Sequence, residues 1–336
     1  MLVIRPVLPG DVDAILHLAS LTGYGLTTLP NDRKIILRRI QEARRGFERM
    51  EEAPRGESYF FVMEDVSTGR IGGTCGIVSK VGGFEPFYAY EVRTAVHESD
   101  SLGVRKEIRT LHLVEEHNGP CEIGSLFLAP EFRGGGRGRF LSLARFLFMA
   151  EHPDYFDPIV IAEMRGVIDA GGRSPFWDAL GRHFFEVEFP TADALSFQNK
   201  KFIADLMPKH PIYIPLLPRE AQEVIGKVND ATRPALSILE REGFEFNGMV
   251  DIFEAGPVIQ AHRDSIRTVR ESRRAAIVEI RELPANTEPM LVCSTVPDFR
   301  AIMTPLSTVN GGVRLAADGA AALNVSVGST VRYVAL

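Results

Sequence analysis

The chain has 336 residues, of which 45% are hydrophobic and 24% are charged, and its formal net charge is -6 at pH 7. This is the composition of an ordinary soluble protein long enough for one large domain with an appendage, and its acidic balance argues against nucleic acid or an anionic membrane as a partner. No apolar run approaches the ~18 residues of a membrane span, and the N-terminus enters a strand-like pattern directly, so we expect no membrane anchor and no signal peptide.

The three cysteines, Cys75, Cys121 and Cys293, lie far apart in the sequence and lack the spacing of metal ligands. A sparse, odd set of this kind is typical of reduced thiols in a cytosolic protein. We therefore expect a cytoplasmic protein with reduced cysteines and no metal site.

The first part of the chain alternates strand-like and helix-like patterns. A strand is predicted over residues 2–6, followed by a helix capped by Asp11, and a second helix opens at Asn31. Two further strands, 59–65 and 70–79, are separated by a short glycine-containing turn, which predicts a hairpin.

Secondary structure is predictable for only part of the middle of the chain. Residues 82–120 show no assignable pattern, whereas Glu122–Leu128 is predicted to be a strand. A helix that is apolar nearly all round is predicted from 137 to about 150. Pro158–Met164 is a continuous apolar run, which is typical of a strand covered on both faces.

A glycine-rich turn joins the strand 122–128 to the following helix and has the form R-x-x-G-x-G, with the sequence Arg133-Gly134-Gly135-Gly136-Arg137-Gly138. Glycines let successive N–H groups point outward, and the helix adds the positive end of its dipole. The two arginines add full charges, so we predict an anion site, most simply for a diphosphate. Neither the dinucleotide fingerprint nor the P-loop fits the residues that follow. The order strand, R-x-x-G-x-G, helix instead resembles the CoA pyrophosphate site of the GNAT acyl-CoA N-acyltransferases, which implies CoA binding at these six residues.

A second, weaker resemblance to GNAT proteins follows later in the chain. Residues 235–244 have the pattern A-x-x-x-L-x-x-x-G-F, which predicts a helix stopped by the glycine, and a strand is predicted over about 248–254. In GNAT proteins such a helix closes over CoA and leads into the next strand.

The residue pattern of the sequence changes after about residue 256. An arginine-rich segment, 263–274, is predicted to be a solvated linking helix. Short β-like pieces follow, separated by turn residues and by the alanine- and glycine-rich stretch 316–322. We therefore predict two domains, 1–256 and 257–336, the second a small β-barrel or sandwich.

Along nearly its whole length the chain resembles the arginine N-succinyltransferases. The segments that carry the resemblance are Met1–Val7, Gly25–Pro30, Ala162–Asp169, Ser174–Phe185, Phe202–Tyr213, Ala221–Gly226 and Asp251–Pro257. The resemblance implies an α+β fold, a GNAT-like mixed sheet flanked by helices with a small C-terminal all-β subdomain. It also implies transfer of succinyl from succinyl-CoA to the α-amine of L-arginine in arginine catabolism, with no permanently bound cofactor.

This chemistry needs a base for the α-ammonium, N–H donors for the thioester oxygen, and a carboxylate for the guanidinium. The resemblance places succinyl-CoA binding at Leu126. Glu122 precedes Leu126 by four residues, so period-two alternation puts both on one face, and Glu122 is the first candidate for the base. The alternative is a surface carboxylate at the start of a strand. Glu163 either pairs with Arg165 structurally or holds the substrate guanidinium.

One position departs from the family pattern. Family members usually carry a histidine, assigned as proton donor, where this chain has Asn229. Either Asp230 or His210 takes that role, or the role is dispensable because a CoA thiol, with a pKa near ~8.5, leaves readily as thiolate, or the chain is catalytically weakened.

Three functions stay open at this point. The first is an active arginine N-succinyltransferase, and the second is a GNAT enzyme with another acyl group or amine acceptor. The third is a non-catalytic subunit that partners a paralogous active chain. A homo-oligomer is equally compatible with the sequence.

Overall fold

A mixed β-sheet runs through the whole molecule in this computed structural model, which describes residues 1–23, 26, 28–49, 53–196, 200–295 and 298–336. In chain order its strands are β1 (Leu2–Pro6), β2 (Ser58–Asp65), β3 (Arg70–Val78), β4 (Phe87–Ser99), β5 (Val104–Glu116), β6 (Cys121–Leu128), β7 (Ile159–Glu163), β8 (Ile212–Tyr213), β9 (Glu245–Val250), β10 (Pro257–His262), β11 (Arg273–Ile280), β12 (Pro289–Ser294), β13 (Ala301–Val309), β14 (Gly312–Leu315) and β15 (Thr330–Ala335). Their order across the sheet is β12-β15-β11-β14-β13-β1-β2-β3-β6-β7-β10-β9-β4-β5-β8. Neighbours are antiparallel, except for the parallel pairs β6–β7 and β11–β14.

Helices cover both faces of the sheet. In chain order they are α1 (Val12–Ser20), α2 (Arg33–Glu48), α3 (Arg137–Glu151), α4 (Pro175–Ala179), α5 (Arg182–Phe185), α6 (Phe189–Ser196), α7 (Lys201–Leu206), α8 (Arg219–Val224), α9 (Arg233–Arg241), α10 (Arg267–Glu271) and α11 (Ala317–Leu323). Helix α3 is buried all round, as its sequence predicts, since every residue from 140 to 149 is buried. None of the helices in the described part of the chain is both long and apolar enough to cross a membrane.

The two N-terminal helices begin close to the predicted positions. The Asp32 side chain caps α2 by accepting hydrogen bonds from two N–H groups of the first turn, so the cap lies one residue after the predicted Asn31. Asp11 precedes α1 as predicted, but its carboxylate pairs with Arg5 and accepts from the N–H of Leu8 rather than capping the helix. In the segment Gly25–Pro30, residues 25 and 27 lie outside the described residues.

The stretch 82–120, which has no assignable pattern in the sequence, contains the hairpin β4–β5, with 13 residues in each strand. Its distal half is exposed on both faces. A strand that buries neither face carries no alternation of apolar and polar residues, which explains why the pattern was not visible.

The C-terminal strands close into a small barrel. Strands β11–β15 form a ring because β13 pairs both with β14 and with β12. Helix α11, in the stretch expected to be a separator, contributes to the apolar core of this barrel. Strand β1 pairs with β13, which joins the barrel to the main sheet. The predicted α+β architecture, a mixed sheet flanked by helices with a small C-terminal all-β subdomain, is confirmed.

The domain boundary after residue 256 stays a prediction. Strand β10 lies on the C-terminal side of that boundary but belongs to the main sheet, between β7 and β9. The arginine-rich segment 263–274 is not one helix: it forms a 3₁₀ turn over 263–265, then α10, and then enters β11.

Candidate active site

The candidate site lies where the parallel strands β6 and β7 separate. Their pairing covers residues 121–122 of β6 and 160–161 of β7. Just beyond, β6 bulges: Ser125 has a φ of 53°, and the register with β3 jumps from Gly124 to Phe127. Residues of β6 after the bulge therefore border an opening instead of continuing a ladder with β7.

The bulge overturns one expectation. Glu122 and Leu126 do not share a face, because the extra residue inverts the alternation of side chains. Leu126 packs into the apolar cluster around α3, on the same side as Cys121 and Ile123. Glu122 lies on the other side, within electrostatic range of Arg39 on α2.

Hydrogen bonds from both faces hold the bulge. Nη2 of Arg39 donates a 2.9 Å bond to Ser125 Oγ, and Thr74 Oγ1 donates a 2.9 Å bond to the Ser125 carbonyl. From α3, Arg145 Nη1 reaches the Gly124 carbonyl at 3.5 Å. Burial lowers the pKa of Arg39 to about 10, so it remains a cation at neutral pH. The opening between the strands therefore has a fixed edge.

The glycine-rich loop lies at the end of β6 and is shaped as the sequence predicts. Three consecutive glycines have left-handed φ values of 94°, 58° and 75° at Gly134, Gly135 and Gly136, which side chains rarely adopt. The side chains of Arg133 and Arg137 bond to main-chain carbonyls beside the loop, at 3.1 and 3.5 Å. Two guanidinium groups thus flank the exposed loop and the N-terminus of α3, which is the arrangement that an anion requires.

Four carboxylates gather around the opening, and we call them the carboxylate cleft: Glu122, Glu163, Asp251 and Glu254. Glu163 is the last residue of β7. The other two lie in the turn after β9, which ends at residue 250 and not at the predicted 254. The chain turns there because Asp251 Oδ1 accepts two 2.7 Å hydrogen bonds, from the N–H groups of Phe253 and Glu254.

Burial raises the pKa of every carboxyl group of the cleft above its ordinary range. The rise is large for Glu163 and Glu254, because neighbouring carboxylates add to the effect of burial. Glu163 is exposed to solvent, although many protein atoms lie around its carboxylate. Lys200 acts in the opposite direction and favours ionised Glu122 and Glu163. A cation entering the cleft would do the same, so the cleft suits a cationic ligand.

Arg165 does not form the structural ion pair with Glu163 that the sequence left open. Among the described residues, no such pair lies within the 4.0 Å of a salt bridge, and the charges that act on Arg165 are those of Glu254 and Asp193. Strand β7 ends at Glu163, so Arg165 lies outside the strand whose period-two spacing would place the two side chains together.

Glu254 is the functional candidate that sequence reasoning missed, together with Asp251. Glu254 is only 7% exposed, and its Oε1 accepts a 2.7 Å bond from the N–H of Gly166. The two residues lie in the segment Asp251–Pro257, which carries part of the family resemblance. No generic chemical motif marks them, so the resemblance was the one signal that pointed to this segment.

The remaining candidates for the proton donor, and the Asn229 position itself, lie in two separate parts of the structure. Asn229 and Asp230 line a cavity of about 530 Å³ between the end of β7 and the start of α9. The Asn229 side chain caps a 3₁₀ turn by accepting from the Ala231 N–H, and Asp230 pairs with Arg233 at 2.7 Å. His210 is exposed and precedes β8 at the far edge of the sheet, five strands from β7. The fold does not bring it to the carboxylate cleft.

Comparison with known proteins gives full-length matches. The family described as arginine N-succinyltransferase beta subunit matches residues 2–268, and its C-terminal domain matches residues 273–335. An arginine N-succinyltransferase from Citrobacter koseri is 44% identical over 339 residues, and one from Salmonella schwarzengrund is 43% identical, each match covering 100% of this chain and 98% of the relative. The structure of arginine/ornithine succinyltransferase subunit AI from Pseudomonas aeruginosa superposes with a TM-score of 0.90 at 35% identity, covering 100% of this chain and 98% of that one.

The loop geometry leads to a binding prediction. We expect Arg133→Gln and Arg137→Gln each to raise the dissociation constant for CoA about tenfold, because each removes a charge-assisted contact of about 1.5 kcal/mol. Isothermal titration calorimetry measures this. Arg105→Gln, the same change at a side chain that is 75% exposed on the β4–β5 hairpin, is the control. Unchanged CoA affinity in both loop variants would contradict the assignment of the loop.

The raised pKa of Glu254 leads to a stability prediction. A carboxyl group whose pKa rises on folding binds more protons in the native state, so the native state loses stability as pH increases through that range. Glutamine does not titrate and keeps a carbonyl for the Gly166 N–H. We expect Glu254→Gln to raise the melting temperature near neutral pH, each ~1 kcal/mol giving roughly 2–4 °C in a domain of 150–250 residues.

The gain in melting temperature should shrink as pH falls toward the ordinary carboxyl range. Differential scanning calorimetry across pH tests this, with the exposed Glu245→Gln on β9 as the matched control. A variant less stable than the parent at every pH would show that the Glu254 carboxylate is well stabilised in the native cleft.

Proposed function

The chain belongs to the arginine N-succinyltransferase family, as its sequence segments predict, and from this premise we propose that it transfers succinyl from succinyl-CoA to the α-amine of L-arginine. The products are N2-succinylarginine and CoA, in the catabolism of arginine in the cytoplasm. The observation that carries the proposal is the carboxylate cleft, which is formed in part by β6, the strand that leads into the loop suited to a diphosphate. The same part of the sheet thus supplies negative charge for a cationic amino acid and a glycine-rich loop with two arginines for CoA.

The acyl donor is proposed to follow the opening between β6 and β7. Its pyrophosphate lies on the loop 133–138 and at the start of α3. Its thioester lies beside Leu126, beyond the residues of β6 that pair with β7, where a main-chain N–H can approach the carbonyl oxygen. Such a donor stabilises the negative charge that develops on that oxygen during attack.

Glu122 is proposed as the general base. The α-ammonium gives it one proton, directly or through water, and the resulting amine attacks the thioester carbon. A C–N bond forms, the C–S bond breaks, and CoA leaves as thiolate, while the second amine proton passes to the thiolate or to solvent. The raised pKa of Glu122 brings the group closer to neutral pH, which favours a general base.

Asp230 is the better placed of the two candidates for a proton donor. It lines the cavity next to Asn229, whereas His210 lies at the sheet edge. Since a thiolate leaves readily without protonation, we propose that the reaction proceeds with asparagine at position 229. A partner, either a second copy or a paralogous subunit, is then not needed for chemistry.

Lys200 is proposed to bind the distal carboxylate of the succinyl group. The proposal is supported by the charge of Lys200, which acts on both Glu122 and Glu163. An acyl group that ends in a carboxylate requires such a cation. An acetyl group has no such carboxylate. We therefore propose that Lys200 determines whether the enzyme prefers succinyl-CoA or, like other GNAT enzymes, another acyl donor.

The deciding assay is release of CoA thiol from succinyl-CoA with and without L-arginine. We expect release that depends on arginine, much slower release from acetyl-CoA, and a fall in kcat of about 10²–10⁴-fold in Glu122→Gln, the range for loss of a general base. Glu245→Gln is the matched control.

Two results would contradict parts of this proposal. Binding of succinyl-CoA with no arginine-dependent release would favour a chain that depends on a paralogous partner. Full activity in Glu122→Gln would show that another carboxylate of the cleft acts as the general base.

A second variant tests acyl selectivity. We expect Lys200→Met to lower the ratio of kcat/KM for succinyl-CoA to kcat/KM for acetyl-CoA at least tenfold, because a single charge-assisted contact of ~1.5 kcal/mol is lost only with the first donor. The effect of the lost charge on Glu122 is common to both donors and cancels in this ratio. Steady-state kinetics with both donors measures this, with the exposed Lys209→Met as the control. Equal losses with both donors would assign Lys200 a structural role.

A further inference from the structure

The distal half of the β4–β5 hairpin is a ribbon of two strands that the rest of the described chain leaves uncovered. Residues 93–98 of β4 and 104–107 of β5 are all exposed, so side chains on both faces of the ribbon meet solvent. Val96 and Val104 are each 48% exposed, and Leu102 in the connecting turn is 76% exposed. A two-stranded ribbon with no further support is only marginally stable in water, so a regular hairpin of this length indicates a surface that something covers.

The outer edge of β4 is open along this ribbon. Within the described residues, β9 pairs with β4 at Tyr90 and Glu91 alone. Beyond Gly248, whose φ is 87°, β9 pairs with β10 and not with β4. From residue 92 to residue 99, the N–H and C=O groups of β4 that point away from β5 therefore face no strand of the described chain. An open strand edge of this kind is a template for another strand.

The corresponding edge of β5 is protected against pairing by its charges. Its open part is the six residues before Thr110, where β8 begins to pair, and four of the six are charged. A two-fold axis between antiparallel strands sets the residue on the axis opposite its own copy. An axis on Arg105, Lys106 or Glu107 would therefore bring identical charges together, and an axis on Ile108 would need the edge of Thr110 that β8 occupies. Charged residues commonly block a strand edge in this way.

The charges on the β4 edge are already paired within the hairpin. Arg93 forms a 2.6 Å ion pair with Glu91, and Glu98 forms a 3.1 Å ion pair with Arg105. His97 is the only other titratable side chain between them along β4. A second strand on this edge would therefore meet mostly small, neutral or β-branched side chains.

We propose that the chain forms a dimer in which β4 pairs antiparallel with β4 of a second copy, about a two-fold axis at Val96. Val96 then faces Val96 of the partner subunit, and the two β-branched side chains pack together. Arg93 faces the partner's Ser99, and Glu98 faces the partner's Thr94, so like charges are not set opposite each other. The same edge serves on both copies, as in most symmetric dimers. The inference concerns assembly and does not depend on the proposed reaction.

The test is the oligomeric state of the full chain, measured by sedimentation equilibrium at micromolar concentrations. We expect the parent protein to be a dimer. Val96→Lys sets two ammonium groups opposite each other, so it should raise the dissociation constant of the dimer about a hundredfold or more. Val104→Lys makes the same change at an equally exposed valine on the other edge of the ribbon and should leave the dissociation constant unchanged. Thermal melts establish that each variant is folded.

A cross-link tests the register of the pairing. Opposite residues of antiparallel strands have Cα atoms about 4.5–5.5 Å apart, a separation that a disulfide can bridge. With oxidised glutathione as the oxidant, Val96→Cys should become a covalent dimer on a non-reducing gel, whereas Val104→Cys should not. The three native cysteines are buried, so they do not compete for the cross-link.

Other outcomes would overturn the inference. A parent protein that is monomeric at every concentration, or that assembles only with a paralogous chain, would exclude a dimer of this chain. An unchanged dimer in Val96→Lys would mean that another surface pairs, and equal loss of the dimer in both lysine variants would mean that the β4 edge is not the specific contact. Failure of Val96→Cys to cross-link would exclude the axis at Val96. Arginine-dependent release of CoA by a monomer would contradict this inference and leave the proposed function standing.

Discussion

The separation of β6 from β7 is the feature on which the rest of the site depends. Parallel strands that stayed paired would leave no room for a thioester, and their main-chain groups would be occupied by the ladder. The bulge at Ser125 interrupts the regular pairing on the other edge of β6, and Arg39 and Thr74 bond to that residue so that the distortion persists. The opening is thus maintained by side chains that take no part in the proposed chemistry.

The same opening concentrates charge that a folded protein would otherwise avoid. The carboxylates of the cleft act on one another, and Glu254 is buried, which raises the pKa of these groups and disfavours their ionised forms. The native state tolerates this because the sheet and α3 supply a continuous apolar core next to the site. Such electrostatic cost is common where a site is shaped for a ligand of opposite charge.

The glycine-rich loop and Glu122 show which parts of the candidate site can be predicted from sequence patterns alone. The loop was recognisable because strand, glycines and helix are contiguous, so the anion site is local in sequence. Glu122 was selected by a rule of alternation that the bulge then broke, although the residue still lies at the opening. The hairpin β4–β5 was not predicted because neither face of its distal half buries side chains.

The sequence by itself determined the family, the mixed architecture with its C-terminal β subdomain, and the loop that suits a diphosphate. These features depend on contiguous residues or on many segments in a fixed order. Only the tertiary structure decided that Asp251 and Glu254 join Glu122 and Glu163, that Arg165 interacts with Glu254 and not with Glu163, and that His210 lies elsewhere. The reason is physical: a cluster of charges is formed by strands and turns distant in the chain, and local spacing holds no information about which of them meet.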